Sequence, residues 1–205
     1  MEPFTTVTGA AAPIPEPNID TDVIMPKQFL KGITREGLAE GAFHDLRFAA
    51  PGLERPDFIL NRPGWRDARF LVVGPNFGCG SSREHAVWGL LQRGVRAIIG
   101  TSFASIFHDN CFRNGLLPVG LGPEQVAHLQ ALCADPDRNR LTVDLVEQTI
   151  AAPDGGTIRF AIDPLRRDDL LQGRDAIAAT LGWSGDLRAF EGRHFATRPW
   201  LEPRR

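Results

Sequence analysis

Ser81, Ser82 and Arg83 sit in the run Asn76-Phe-Gly-Cys-Gly-Ser-Ser-Arg-Glu-His85, directly behind two glycines. Two hydroxyls and a guanidinium at a glycine-rich bend suit an anionic ligand. Glycine lets the backbone take positive φ and approach the ligand closely. A helix opening behind the bend adds free N–H groups and the positive end of its dipole. Arg83 adds a planar fork matched to a carboxylate or phosphate. Better-known motifs do not fit. A dinucleotide fingerprint needs glycine where Arg83 stands, a phosphate-binding loop needs a lysine that the turn lacks, and neither serine is framed as Gly-x-Ser-x-Gly. A plain reading also remains open: Ser81 as N-cap and Glu84 three residues on would form a capping box, with the glycines merely turning the chain.

The elements that must hold this turn alternate. Residues 70–74 read as an apolar strand and 82–93 as a helix, then 95–99 as a strand, 103–113 as a helix, 116–121 as a strand and 123–133 as a helix. Ala86 with Leu90 and Val87 with Leu91 stand at i,i+4, as Phe103, Ile106 and Phe107 share a stripe on the next helix. Such alternation predicts parallel strands with right-handed crossovers. The flanks predict more strands, at 4–14, 141–151 and 157–162, the last two joined through Pro153-Asp-Gly-Gly156. Residues 164–180 read as an amphipathic helix, and 195–205, with two prolines and Trp200, as a loose or partner-dependent end. With no linker or repeat, all 205 residues read as one α/β domain with a β-rich second layer.

Composition narrows the partners. The 23 basic and 25 acidic residues are mixed, so neither a nucleic-acid stripe nor a charged tail is expected. No apolar stretch reaches the roughly 20 residues of a membrane span, and the start of the chain lacks the charged and apolar regions of a signal peptide, which predicts a cytoplasmic protein. Cys79, Cys111 and Cys133 are spaced for neither a disulfide framework nor a metal motif. Cys111 and Cys133 read as small core residues, and Cys79 as a packing residue inside the turn. His108, Asp109 and Cys111 on one helix are too few donors for a metal, and His85 reads as a packing histidine.

Three ordered stretches carry a family resemblance: Asn76–His85, Asn18-Ile-Asp-Thr-Asp-Val-Ile-Met-Pro-Lys-Gln-Phe-Leu30, and Ser102-Phe-Ala-Ser-Ile-Phe-His-Asp-Asn-Cys-Phe-Arg-Asn-Gly-Leu-Leu-Pro118. Together they resemble the small-subunit family of 3-isopropylmalate dehydratase (isopropylmalate isomerase), the counterpart of the swivel domain of aconitase. The resemblance implies a three-layered β/β/α swivel fold, with residues 165–205 as a helical C-terminal extension. It implies a hydro-lyase of leucine biosynthesis that interconverts 2- and 3-isopropylmalate through a dehydrated intermediate. Ser81 would be the general base, while Ser82 and Arg83 would hold a substrate carboxylate. Asp22 would lie near the site, although its segment also reads as a side-chain-capped turn. Lys31 and Arg35 would lie on a substrate loop, residues 30–38, expected to order only with partner and substrate, and Leu30 or Ile33 would touch the isopropyl group. Met25 stands where aconitase has a serine, which fits a substrate with one carboxylate fewer. The chain itself would bind no cofactor. Its partner, a large subunit in a hetero-oligomer, would carry a [4Fe-4S] cluster as Lewis acid, and the substrate would be a dicarboxylate, isopropylmalate or a relative such as citramalate. A reading from another class is a non-catalytic module that merely docks an anion.

Overall fold

The computed structural model describes residues 1–30, 36–81 and 83–203. Its pivot is β1 (Thr6–Ile14), which changes partner halfway. Residues Thr6–Ala10 run antiparallel to a strand from late in the chain, whereas Ala11–Ile14 run parallel to a central one.

The chain continues from β1 through two one-turn helices, α1 (Thr21–Ile24) and α2 (His44–Arg47), and a small ribbon of β2 (Phe48–Ala50) and β3 (Leu53–Glu54). The alternating core follows: β4 (Phe70–Val73), α3 (Glu84–Gln92), β5 (Ala97–Gly100), α4 (Ser105–Asn114), β6 (Leu117–Gly120) and α5 (Pro123–Cys133). Then come β7 (Arg140–Asp144), β8 (Thr149–Ala151), β9 (Thr157–Arg159), α6 (Pro164–Gln172), α7 (Ala176–Leu181) and α8 (Ser184–Thr197). The strands form a seven-stranded sheet in the order β6-β5-β4-β1-β7-β8-β9, parallel from β6 to β1 and antiparallel from β1 to β9.

Burial explains this division. Phe70-Leu71-Val72-Val73 and Ala97-Ile98-Ile99-Gly100 are buried at every position, as parallel strands covered on both faces must be. One face, with Phe70, Val72, Ile99 and Val119, packs with the antiparallel arm and with Val126 and Leu129 of α5. The other, with Leu71, Val73 and Ile98, packs with Ala86, Val87 and Leu90 of α3 and Phe107 and Cys111 of α4. The result is the β/β/α layering, with the antiparallel arm and the helices α3 and α4 on opposite sides of the parallel strands.

Two expected elements are broken by local chemistry. Residues 141–151 form two strands rather than one, because the Asp144 carboxylate accepts the Glu147 N–H at 2.8 Å and Gln148 takes a φ of 54°, closing a hairpin. The helix expected over 164–180 stops at Gly173 and restarts when the Asp175 carboxylate accepts the Ala178 N–H at 2.8 Å. The end of the chain also has more regular structure than expected, since α8 runs to Thr197 and a single 3-10 turn follows at Pro199–Leu201.

Candidate functional site

The signature turn leaves the C-terminal end of β4 and is laced to the segment that follows β1. Gly78 N–H donates to Ile19 O at 2.7 Å, Thr21 N–H donates to Cys79 O at 2.9 Å, and the Cys79 thiol donates to Asn18 O at 3.3 Å. Two asparagines close the base of this clasp. Both adopt positive φ, 58° at Asn18 and 57° at Asn76, a conformation asparagine tolerates, and the Asn76 amide donates to Asn18 Oδ1 at 2.8 Å. The Asn76 backbone N–H is held by the Ser102 hydroxyl at 2.9 Å, which ties in the third motif.

The glycines are required here. Gly78 has φ +77°, and a Cβ on it would run into the Phe107 ring, with Phe107 Cβ only 2.7 Å away. Phe107 is fully buried and packs edge-on against Phe77, centroids 5.6 Å apart, so it cannot step aside. Gly80 has φ +85° and lets the turn come down on Asp20, whose Cβ would lie 3.3 Å from a Cβ placed there. Asp20 itself caps α1, its carboxylate accepting the Val23 N–H at 2.7 Å. The capped turn read from this segment is therefore Asp20, and it orients the next acidic residue, Asp22.

The clasp brings Asp22 and Arg83 together. Arg83 Nε donates to Asp22 Oδ1 at 3.2 Å, with the two side chains 31% and 36% exposed. A pair this open adds little stability. Its consequence is orientation: one edge of the guanidinium is anchored on Asp22, while Nη1 and Nη2 have no partner among the described residues.

Ser81 is exposed and makes no hydrogen bond among the described residues. The alternative capping box does not form. Helix α3 begins at Glu84 with Arg83 as N-cap and no side-chain cap bond, so the Ser81 hydroxyl is not engaged in capping. Glu84 instead accepts from the Asn114 amide at 2.8 Å, and Asn114 Oδ1 in turn accepts from Trp88 Nε1 at 2.8 Å, which locks α3 to α4. The His85 ring lies against Trp88 with centroids 4.6 Å apart, a packing contact. Among the described residues no side chain caps the start of α3, and the Ala86 N–H donates to the Arg83 carbonyl at 3.0 Å.

Ser82, and with it Lys31, Ile33 and Arg35 of the expected substrate loop, lie outside the described residues. Leu30 is half-buried at the end of a single 3-10 turn. Met25 is completely buried, packed into space left by Gly41 and Gly89, so in this chain it is a core residue. Residues that sequence reasoning did not single out are Asn18, Asn76 and Ser102, which build the clasp, and Thr21. The Thr21 hydroxyl is fully buried beneath the turn and lacks a partner among the described residues. The two asparagines at bend positions were the available signal, because asparagine is the non-glycine residue that enters left-handed conformations most readily.

No group of three or more His, Cys, Asp and Glu side chains converges among the described residues as a metal ion would require. The thiols are dispersed: Cys111 sits on the α3–α4 side of the sheet, Cys133 on the α5 side, and Cys79 in the turn. Burial pushes the Cys133 thiol up to about 12 and the Cys111 thiol well above its ordinary value, so both stay protonated. These residues do not fit an iron–sulfur cluster, which needs several convergent thiolates.

Comparison with known proteins gives the family. Residues 1–124 match the aconitase C-terminal domain family, and residues 127–164 match a second family model, LeuD_N. A 3-isopropylmalate dehydratase small subunit 2 from Salmonella typhimurium is 56% identical over 202 residues, 98% of this chain and 97% of that one. A small subunit 1 of the same enzyme from Mannheimia succiniciproducens is 51% identical, over 98% and 100% of the two chains. The crystal structure of 3-isopropylmalate dehydratase from Methanocaldococcus jannaschii superimposes with a TM-score of 0.64 at 23% identity, over 92% of this chain and 99% of that one, a likeness of fold. With its swivel fold, its signature turn and near-full-length relatives at more than half identity, the chain belongs to the 3-isopropylmalate dehydratase small-subunit family.

Proposed function

We propose that this chain is the proton-transferring half of a 3-isopropylmalate dehydratase, a hydro-lyase of leucine biosynthesis that is complete only with its large subunit. The observation that carries the reading is the open clasp: an unengaged Ser81 hydroxyl beside an uncapped helix start and an arginine oriented by Asp22. Elimination of water from a 2-hydroxy or 3-hydroxy diacid needs a base at the carbon losing its proton and an acceptor for the departing hydroxyl. Ser81 Oγ takes the proton. A serine oxyanion is a strong base that needs stabilising donors, and the α3 N–H groups and the positive charge of Arg83 supply them. Arg83 holds the substrate carboxylate adjoining the acidic carbon with its free nitrogens, and Ser82 adds a hydroxyl to the same carboxylate. Rehydration in the opposite orientation returns the proton from Ser81 and yields the other isomer.

The partner's [4Fe-4S] cluster would supply Lewis-acid polarisation of the leaving hydroxyl. This chain's own thiols, dispersed over the fold, do not fit such a group. We assign Lys31 and Arg35 to binding substrate charge, and Leu30 or Ile33 to contact with the isopropyl group. Among the described residues no helix is long and apolar enough to cross a membrane, and we place the enzyme in the cytoplasm. Mixing tests the reading. Neither the purified chain nor the anaerobically purified large subunit should convert 2-isopropylmalate, and the mixture should. Turnover by this chain alone, or none by an iron-replete mixture, refutes it. If the chain were only an anion-docking module, it would bind the substrate tightly without the large subunit.

A further inference from the structure

Beyond Gly173 the chain carries large apolar side chains that the rest of the molecule does not cover. Leu181, Trp183, Leu187, Phe190, Trp200 and Leu201 are between 50% and 76% exposed, and α8 has no buried residue at all. Leu187 and Phe190 stand three apart on one side of α8, with Trp183 one turn before Leu187, and the 3-10 turn bearing Trp200 and Leu201 follows directly on that helix. The three aromatic side chains present about 150–250 Å² each when free and the three leucines less, so at these exposures the six together offer on the order of 700 Å² of apolar surface. A stable association covers about 800 Å² on each partner, of which somewhat more than half is apolar, so the face is large enough for one side of a lasting interface. Isolated soluble proteins rarely leave so much apolar surface uncovered.

We propose that this face docks the large subunit, in a complementary apolar groove of that chain. Two observations tie this surface to the separate-subunit architecture. The aconitase C-terminal domain model ends at residue 124 and the second model at 164, so α7 and α8 lie outside both matched family regions. The separately encoded small subunits nevertheless match 98% of this chain, C-terminal helices included. A swivel unit that is a separate chain must hold its partner by surface alone, and these helices supply the surface. The site also calls for that partner, because Ser81 is open to solvent and no metal-binding cluster that could take the leaving hydroxyl converges among the described residues. The inference rests on the subunit reading above and adds where the two subunits meet.

The test uses the full-length chain and the separately purified large subunit, with dissociation constants from titration calorimetry. The double substitution Leu187→Glu, Phe190→Glu should weaken association at least ~30-fold, as loss of central interface anchors does. Its melting temperature when alone should stay near the wild-type value, because both side chains are exposed. Phe190→Leu, which keeps the apolar contact, should bind nearly normally. In an independent measurement, emission from Trp183 and Trp200 should shift to the blue on mixing, and the shift should vanish when both are replaced by Phe. Unchanged affinity of the double variant in a wild-type complex that assembles and turns over would overturn this inference alone. Loss of self-association by the double variant, with its affinity for the large subunit intact, would assign the face to a second copy and also overturn it. Absence of any wild-type complex would overturn it together with the subunit reading.

Discussion

Gly78→Ala probes how the turn is held. Two terms can be worked from the structure. An alanine at φ +77° enters the left-handed region, which costs a non-glycine residue about 1–2 kcal/mol. The new methyl also meets the buried Phe107 ring, and overpacking of that kind costs roughly 1–3 kcal/mol because the surrounding core is close-packed. The sum is about 2–5 kcal/mol, and for a chain of this size each kcal/mol lowers the melting temperature by about 2–4 °C. Thermal and urea unfolding of the isolated chain should therefore show a loss of roughly 4–20 °C. The two terms separate in a cycle. In a Phe107→Ala background the clash is gone, and Gly78→Ala should cost only the conformational part, about 1–2 kcal/mol. A melting temperature within a degree or two of wild type, or strictly additive effects of the two changes, would refute the claim that Gly78 lets the turn settle on Phe107.

Other expectations follow from the same geometry. Arg83→Lys keeps the charge but loses the fork that joins Asp22 to a carboxylate, so the reconstituted enzyme should lose at least about tenfold in kcat/KM; near-normal kinetics would make Arg83 an ordinary surface residue. Of the three thiols only Cys79 should react with a thiol reagent at neutral pH, and a second rapid equivalent in the folded chain would contradict the burial of Cys111 and Cys133. Burial and then the neighbouring Arg166 hold the His108 imidazole below its usual value of 6.5. The unfolded chain therefore takes up this proton first as pH falls, and stability present above about pH 6.5 declines below it until the folded value is passed. Melting curves from pH 7.5 to 5 should fall less steeply for His108→Gln than for wild type, and parallel curves would exclude a contribution from His108.

The parallel half of the fold was legible because its strands are continuous apolar runs and its helices carry 3.6-residue stripes, both local patterns. The glycine turn was legible for the same reason, since Gly78 and Gly80 stand where positive φ is needed. The readings that the structure sets aside were also local. Ser81 and Glu84 satisfy the spacing of a capping box, yet the turn extends two residues further and makes Arg83 the N-cap. Residues 141–151 are apolar enough for one strand, but the Asp144 side chain turns the chain back on itself. The contact of Asp22 with Arg83 joins residues far apart in sequence, as does the Asn18–Asn76 pair. Such pairings depend on how β1 lies beside β4 and leave no periodic trace in the chain. Family resemblance, not spacing, pointed to Asp22, and geometry then supplied a physical role for it.

The most direct test of the central claim is Ser81→Ala in the complex reconstituted with the large subunit, with turnover, assembly and the melting temperature of the free chain measured together. Loss of a general base lowers the rate by about 10²–10⁴-fold, equivalent to roughly 3–5 kcal/mol of barrier. Because the Ser81 hydroxyl is exposed and caps nothing, the melting temperature and the assembly should not change. A variant that assembles and turns over at the wild-type rate would contradict the account, and a drop in stability of about 1 kcal/mol with the rate intact would return Ser81 to the role of a helix cap.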